Sequence, residues 1–185
     1  MSGALAGRVA VVTGSSSGIG QAIALAFHRE GCKVVCADLR PQGEGWSTDE
    51  TITKDGGDAL FCKTDVSQAT DVEAAVKAAV NRYGRLDIFV NNAGCAPEVL
   101  RPAPVWETEI SMWDRTHSVN SRGIFLGTKY AAGQMVKQEP LSNGSRGRII
   151  NIASIMGLRG TAKSGIVIHP AQVAREGGTA KTAMS

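Results

Sequence analysis

The sequence predicts an α/β fold, a doubly wound parallel β-sheet with helices on both faces, incomplete at its C-terminal side. Three observations predict it. Short β-branched runs alternate with longer segments of helical periodicity, the pattern of strand–helix–strand units. The first run, Val9 to Thr13, is continuous in its apolar character and ends at Gly14, as a central strand buried on both faces requires. Beyond Gly160 the alternation stops.

The elements follow in order. Gly18 to Glu30 places Ile19, Ala22, Ile23, Ala26 and Phe27 on one helical face, and Gly31 supplies the stop. Lys33 to Asp38 reads as the second strand; Pro41, Gly43 and Gly45 mark a loop before a weak helix around Ser47 to Lys54. Ala59 to Lys63 is the third strand. Ser67 is the expected N-cap of a helix through Tyr83, in which Val72, Ala75, Val76 and Ala79 recur at helical spacing. Leu86 to Asn91 is the fourth strand. A loop with Pro97, Pro102 and Pro104 leads into a long helical region, from about Thr108 to Gln138, expected to break near Asn120 and Gly123. Trp106 and Trp113, with Ile110 between them, read as a packed helical face rather than a ligand cage. Arg148 to Ile152 is the fifth strand. Further on, Gly165 to Ile168 reads as a short strand, Pro170 to Ala174 as part of a helix, and Glu176 to Ser185 as unstructured, so a domain over 1–160 is followed by a divergent tail over 161–185.

Composition narrows the function classes. A chain of 185 residues with 43% hydrophobic and 20% charged residues can bury one domain's core and is not a disordered or fibrous sequence. The net charge of +3 is small and scattered, so nucleic acid is not an expected partner. No stretch approaches the ~20 apolar residues of a membrane span, and the opening segment lacks the basic-then-apolar layout expected of a secretory signal. Cys32, Cys36, Cys62 and Cys95 contain no CxxC pair and no Cys/His spacing of a zinc site, so no metal is expected. They read as small apolar residues of a reducing, cytoplasmic compartment. His28, His117 and His169 lie on separate segments and read as surface or structural.

The strongest local signal is Thr13-Gly14-Ser15-Ser16-Ser17-Gly18-Ile19-Gly20, between a predicted strand and a predicted helix. Such a turn aims backbone N–H groups and a helix N-terminus at negative charge, which suits a dinucleotide pyrophosphate. Gly14 can make the turn, Gly18 can let the backbone approach a cofactor, and Gly20 can let helix pack on strand; Ser16, Ser17 and Ile19 complete this candidate contact set. The alternative is a Gly/Ser-rich connection without a ligand. Asp38 closes the second strand 18 residues after Gly20, with Leu39 beside it. Its carboxylate can accept from ribose hydroxyls and would repel a 2′-phosphate, favouring NAD over NADP, although Arg40 nearby leaves an opening for NADP. The alternative for Asp38 is a solvated strand end.

The TGxxxGxG turn, Asp65-Val66, Asn91-Asn92-Ala93-Gly94, Asn120 within the long helix, and Ser154 in Asn151-Ile152-Ala153-Ser154 together resemble the short-chain dehydrogenase/reductase family, over roughly Ala6 to Gly160. The resemblance implies a Rossmann-type fold and hydride transfer between a nicotinamide cofactor and a small-molecule carbonyl or alcohol. It implies that Asp65 and Val66 border the adenine, that Asn92, Ala93 and Gly94 line the nicotinamide half, that Ser154 hydrogen-bonds the reacting oxygen, and that Asn120 holds a relay water. For Asn91 the reading preferred is structural, its amide holding neighbouring segments together.

The same family uses a Tyr and a Lys in a YxxxK arrangement after the serine, the lysine lowering the phenol's pKa. This sequence has two tyrosines, Tyr83 and Tyr130, followed four residues later by Asp87 and Gln134. Lys163 and Lys181 have no phenol to activate. General acid–base catalysis contributes about 10²–10⁴ in rate, so little or no turnover is expected of this chain, and a non-catalytic nucleotide- or partner-binding protein, or a poorly folded truncated product, remain the alternatives. The fifth strand is then an expected sheet edge, with Ile124, Phe125 and Leu126 short of a packing partner. The tail has too few large apolar residues to replace that layer, which reads as an alternative or misread 3′ end diverting the sequence near Gly160 to Lys163. A homo-oligomer, expected for the full-length family form, is doubtful here.

Overall fold

The computed structural model describes residues 3–41, 45, 47–97, 103 and 105–154. Its elements run β1 (Val9–Thr13), α1 (Gly18–Arg29), β2 (Lys33–Asp38), α2 (Thr48–Lys54), β3 (Ala59–Lys63), α3 (Ala69–Tyr83), β4 (Ile88–Asn91), a 3₁₀ turn (Val105–Glu107), α4 (Ile110–His117), a π turn (Ser118–Arg122), α5 (Gly123–Met135) and β5 (Arg148–Asn151). The five strands form one parallel sheet in the order β3-β2-β1-β4-β5. The fold is therefore Rossmann-like and doubly wound.

The two-residue period of β1 divides the core. Val9 and Val11 face a layer built by Val72, Ala75, Val76 and Ala79 of α3 and by Leu126, Ala131 and Met135 of α5. Ala10 and Val12 face the opposite layer, with Ala24 of α1 and Ile52 of α2. Both faces of the central strand are thus dry, which is why β1 shows no polar alternation. The order in which strands are added reverses between β1 and β4, making the kind of switch point at whose carboxyl ends a crevice opens in such sheets.

At the opposite end, Asp87 locks the register of β1 against β4. Its Oδ2 accepts from the Val9 amide at 3.0 Å and its Oδ1 from Arg85 Nε at 2.8 Å. Gln138 then ties α5's exit to β4 and β5, accepting from the Leu86 amide and donating to the carbonyls of Leu86 and Arg146.

Several sequence expectations are corrected. The face that α1 buries is Gly20 and Ala24, flanked by half-buried Ile23 and Phe27, whereas Ala22 and Ala26 are exposed and Ile19 is 64% exposed. Two small residues one turn apart let the helix lie closer to the sheet than a stripe of larger ones would. Ser67 does not cap α3, because its amide and hydroxyl are bound to Asp65 Oδ1; the N-cap position falls to Gln68. Trp106 and Ile110, 81% and 78% exposed, do not form a packed face; Trp113 covers itself by stacking on His117, with ring centroids 3.6 Å apart. Leu126 is buried in the core, Ile124 is half-buried and Phe125 exposed, so α5 retains a partner for only part of that triplet.

Among the described residues β5 is an edge strand with mostly exposed side chains. His28 bonds Asp55 at 2.9 Å. The expected elements near Gly165 and Pro170, His169, and the tail lie outside the described residues. Among the described residues no helix is long and apolar enough to cross a membrane.

Candidate functional site

The crevice is built where β1 hands over to α1. Thr13, the last residue of β1, donates its hydroxyl to Val90 O at 3.0 Å and accepts from the amides of Asn92 and Ala93 at 3.0 and 3.1 Å. One threonine thereby fastens the segment after β4 to the turn after β1. The Asn92 amide group adds donors to the carbonyls of Thr13 and Gly14 at 2.9 and 3.3 Å. Its side chain is thereby tied to the backbone of the turn.

Gly14 sits in the left-handed region at φ 66° with its amide on Ala37 O at 2.8 Å. Gly20 has no room for a side chain: a Cβ there would fall 2.1 Å from Gly14 O and 2.5 Å from Asn92 Nδ2. At Gly18, φ 54°, a Cβ would meet nothing within 4 Å, so this glycine borders open space.

Among the described residues, no side chain caps the start of α1. Ser17 at the N-cap is extended and makes no side-chain capping bond, and no acidic residue occupies the first turn. The first N–H groups of a helix need a partner, and the positive end of the helix favours an anion. The glycine cradle and the uncapped terminus fit a pyrophosphate.

Asp38 is brought to the same turn. Its Oδ2 accepts from the Ser16 amide at 2.9 Å and its Oδ1 from the Leu39 amide at 2.7 Å, while Ser16 Oγ donates to Arg40 O at 2.7 Å. A carboxylate has about four acceptor positions, so each oxygen keeps capacity for a ribose hydroxyl. Leu39 and Ile19, next to this turn in the sequence, are both exposed.

Asp65 and Val66 follow β3. Asp65 Oδ1 is used within its own turn by Ser67, and the Asp65 amide is held by Asp71 Oδ2 at 3.0 Å. Val66 is buried against Gly123, whose added Cβ would lie 3.0 Å from its methyl. Val66 thus packs against the start of α5.

Asn120, in the π turn, is 2% exposed. Its Oδ1 accepts from the Cys95 amide at 2.9 Å and its Nδ2 donates to the Cys95 carbonyl at 2.8 Å, pinning the loop beyond Gly94. Asn91 donates to Asn151 Oδ1 at 2.9 Å, joining β4 to β5 rather than facing the crevice. Since Asn91 and Asn151 are paired in register, Gly94 and half-buried Ser154 each lie three residues beyond the same rung.

Neither tyrosine belongs to this end of the sheet. Tyr83 ends α3 beside the amino ends of β2 and β3 and donates to Asp58 at 3.0 Å; burial, then Asp58, push its pKa up to about 12. Tyr130 packs against the α3/α5 core layer. Sequence reasoning missed Thr13, Thr48 and Cys95. Thr13 carried a signal, standing directly before Gly14, but its partners are about 77 to 80 residues away.

Comparison with known proteins agrees with this architecture. The family model of short chain dehydrogenase matches residues 8–166. The chain is 44% identical over 156 residues to (+)-borneol dehydrogenase 2 of Salvia officinalis, covering 83% of this chain and 52% of that protein. It is 41% identical to 2,5-dichloro-2,5-cyclohexadiene-1,4-diol dehydrogenase LinX of Sphingobium indicum, covering 88% and 60%. The chain thus spans about half to three fifths of these relatives' length. A solved short chain dehydrogenase/reductase from Burkholderia phymatum in complex with NAD superposes with a TM-score of 0.78 at 28% identity, covering 94% of this chain and 58% of that one. With a glycine turn, a strand-end aspartate and an Asn-Asn-Ala-Gly segment gathered at one switch point, and a family match over most of its length, the chain belongs to the short chain dehydrogenase family.

Proposed function

We propose that this chain binds NAD, in preference to NADP, at the turn Gly14–Gly20, and derives from an oxidoreductase that interconverts a hydroxyl and a carbonyl on a small organic substrate. The observation that carries the reading is the uncapped start of α1 beside Asp38, whose carboxylate is held by two backbone amides at the strand end. A bound nicotinamide cofactor would supply the hydride chemistry at the substrate carbon. The chain's own residues do the rest. The turn's N–H groups hold the pyrophosphate, Asp38 the ribose hydroxyls, with Leu39, Asp65 and Val66 on the adenine side and Asn92, Ala93 and Gly94 toward the nicotinamide. Ser154 Oγ hydrogen-bonds the reacting oxygen. Asn120 holds Cys95 with both ends of its carboxamide, and because its oxygen has a second lone pair and its nitrogen a second N–H, it can hold the relay water as well.

Two unit charges at ~4 Å repel by about 1 kcal/mol in water and about 4 kcal/mol at an effective dielectric of ~20. A 2′-phosphate beside Asp38 should therefore cost NADPH at least about fivefold in affinity. The names of the relatives, alcohol dehydrogenases among them, support a hydroxyl or carbonyl substrate. The four free cysteines support a reducing, cytoplasmic setting.

A second reading, cofactor binding without turnover, is favoured by the tyrosines: Tyr83 is bound to Asp58 at the far end of the sheet and Tyr130 packs, half-buried, against the core. Neither is placed to move a proton at Ser154. Calorimetry of the 185-residue chain with NADH and NADPH, followed by NADH oxidation with a panel of carbonyl compounds, tests both. Tighter NADPH binding would overturn the role of Asp38, and substantial turnover would overturn the inference from the missing Tyr and Lys. Insolubility of the chain would favour a truncated product that does neither.

A further inference from the structure

We infer that Thr48 is a positioning residue for cofactor selectivity, acting on Asp38 through the single peptide unit between Ser15 and Ser16. The inference rests on the cofactor reading above and extends it to a residue that lies outside the crevice. Thr48 Oγ1 donates to the Ser15 carbonyl at 2.8 Å, and the amide of that same peptide, Ser16 N–H, donates to Asp38 Oδ2 at 2.9 Å. A trans peptide is planar, with its C=O and N–H pointing opposite ways. Fixing the oxygen therefore fixes the direction of the amide, and with it the carboxylate that the amide holds.

Thr48 is built to do this. It is 2% exposed, and its place at the start of α2 is set by a capping box in which Ser47 Oγ accepts from the Glu50 amide and Glu50 Oε2 accepts from the Ser47 amide. Gln21 Nε2 of α1 donates to Thr48 Oγ1 at 3.3 Å, which occupies an acceptor position of the hydroxyl and directs its proton to Ser15 O. A carbonyl that accepts a hydrogen bond polarises its peptide and makes the attached N–H a better donor. The Asp38 carboxylate is held more firmly as a result.

The path of the turn does not depend on Thr48. Gly14 N–H is held by Ala37 O at 2.8 Å and Ser16 Oγ binds Arg40 O at 2.7 Å, fastening both sides of the 15–16 peptide to β2 and its exit. What Thr48 adds is the tilt of that one plane. Without it the buried Ser15 carbonyl is left unpaired, and rotating toward another donor carries Ser16 N–H away from Asp38. The carboxylate then loses its orientation toward the ribose.

The test is calorimetric. Thr48→Val keeps the side-chain shape and removes the hydroxyl. Its NADH Kd should rise about tenfold, the scale of losing one charge-assisted hydrogen bond, while its NADPH Kd, to which Asp38 offers nothing favourable, changes less than about twofold. The NADH-over-NADPH preference falls accordingly, and Thr48→Ser restores it. In an Asp38→Asn background Thr48→Val should alter the NADH Kd by less than about twofold, because the group through which it acts is already changed. A purely structural Thr48 would lower thermal stability and leave the preference ratio and its coupling to Asp38 unchanged; that result overturns the inference while leaving NAD binding intact. Should Thr48→Val fail to fold, Gln21→Leu frees the hydroxyl rotor while the Ser15 carbonyl keeps its Thr48 donor. It should lower the preference in the same direction by a smaller factor, and an unchanged ratio there overturns the inference too. Failure of the unmodified chain to bind either nucleotide is a separate result and refutes the cofactor reading itself.

Discussion

Gly20→Ala sets two physical effects against each other. In an exposed helix the change would stabilise, since alanine is about 1 kcal/mol better than glycine. Here the new methyl would fall 2.1 Å from Gly14 O, 2.7 Å from Gly14 C and 2.5 Å from Asn92 Nδ2. The first two are backbone atoms that no rotamer change can move, so α1 has to retreat from the turn. Overpacking of this kind costs about 1–3 kcal/mol. The displaced Asn92 amide also loses its bonds to Thr13 O and Gly14 O, at roughly 1 kcal/mol each. The net expectation is a loss of roughly 2–4 kcal/mol after the helix gain, which for a domain of this size lowers Tm by about 5–15 °C. Circular dichroism during thermal and urea unfolding measures it. Gly18→Ala is the companion: its methyl would meet nothing within 4 Å, and the strain at φ 54° costs about 1–2 kcal/mol. That variant should stay folded while its methyl obstructs the pyrophosphate and weakens NADH binding at least about tenfold. A Gly20→Ala protein as stable as the parent would refute the packing at the turn, and unimpaired NADH binding by Gly18→Ala would refute the placement of the pyrophosphate.

Removing the carboxamide in Asn120→Ala leaves the half-buried Cys95 amide and carbonyl without that partner and should cost about 1–3 kcal/mol, read as a lower urea midpoint at unchanged m-value; an unaltered midpoint would contradict the clamp. Cys32 and Cys36 are buried and Cys62 and Cys95 only half-buried, so a thiol reagent at pH 8 should label the latter two in the native protein and the former two only on unfolding, which mass spectrometry can count. Burial, reinforced by Asp87 and Asp49 respectively, pushes the Cys32 and Cys36 thiols from an ordinary value of 9.0 up to about 12. Tyr83 moves likewise, from 10.0 to about 12. Between these limits the native state retains protons that the unfolded chain has lost, so stability must fall as pH rises from 9 toward 12; a urea midpoint that is flat or rising from pH 8 to 10.5 would show that these groups are not buried as described.

Much of the fold was legible from local pattern. β1, β2 and β3 fall over the residues expected of them, and β1 and β2 are the clearest, because strands buried on both faces announce themselves residue by residue without reference to anything distant. The break expected near Asn120 and Gly123 appears as the π turn Ser118–Arg122 between α4 and α5. Where two local solutions competed, periodicity could not choose between them. Ser67 was a sound N-cap candidate until Asp65 bound it, and Ile19 sat on a plausible apolar stripe until Gly20 and Ala24 proved the closer packing surface. The Trp106, Ile110 and Trp113 spacing suited a buried face, yet nothing described here covers Trp106 and Ile110.

The sequence by itself determined the α/β class, the order of the elements, the glycine turn and the family resemblance, because each resides in residues adjacent along the chain or in motifs of fixed order. Tertiary structure alone decided that Thr13 clasps Asn92 and Ala93, that Asn120 holds Cys95, and that one peptide joins Thr48 to Asp38. Those contacts link residues 22 to 80 positions apart. They depend on how closely separate strands and helices approach one another, a distance set by the volumes packed between them and carried by no local pattern.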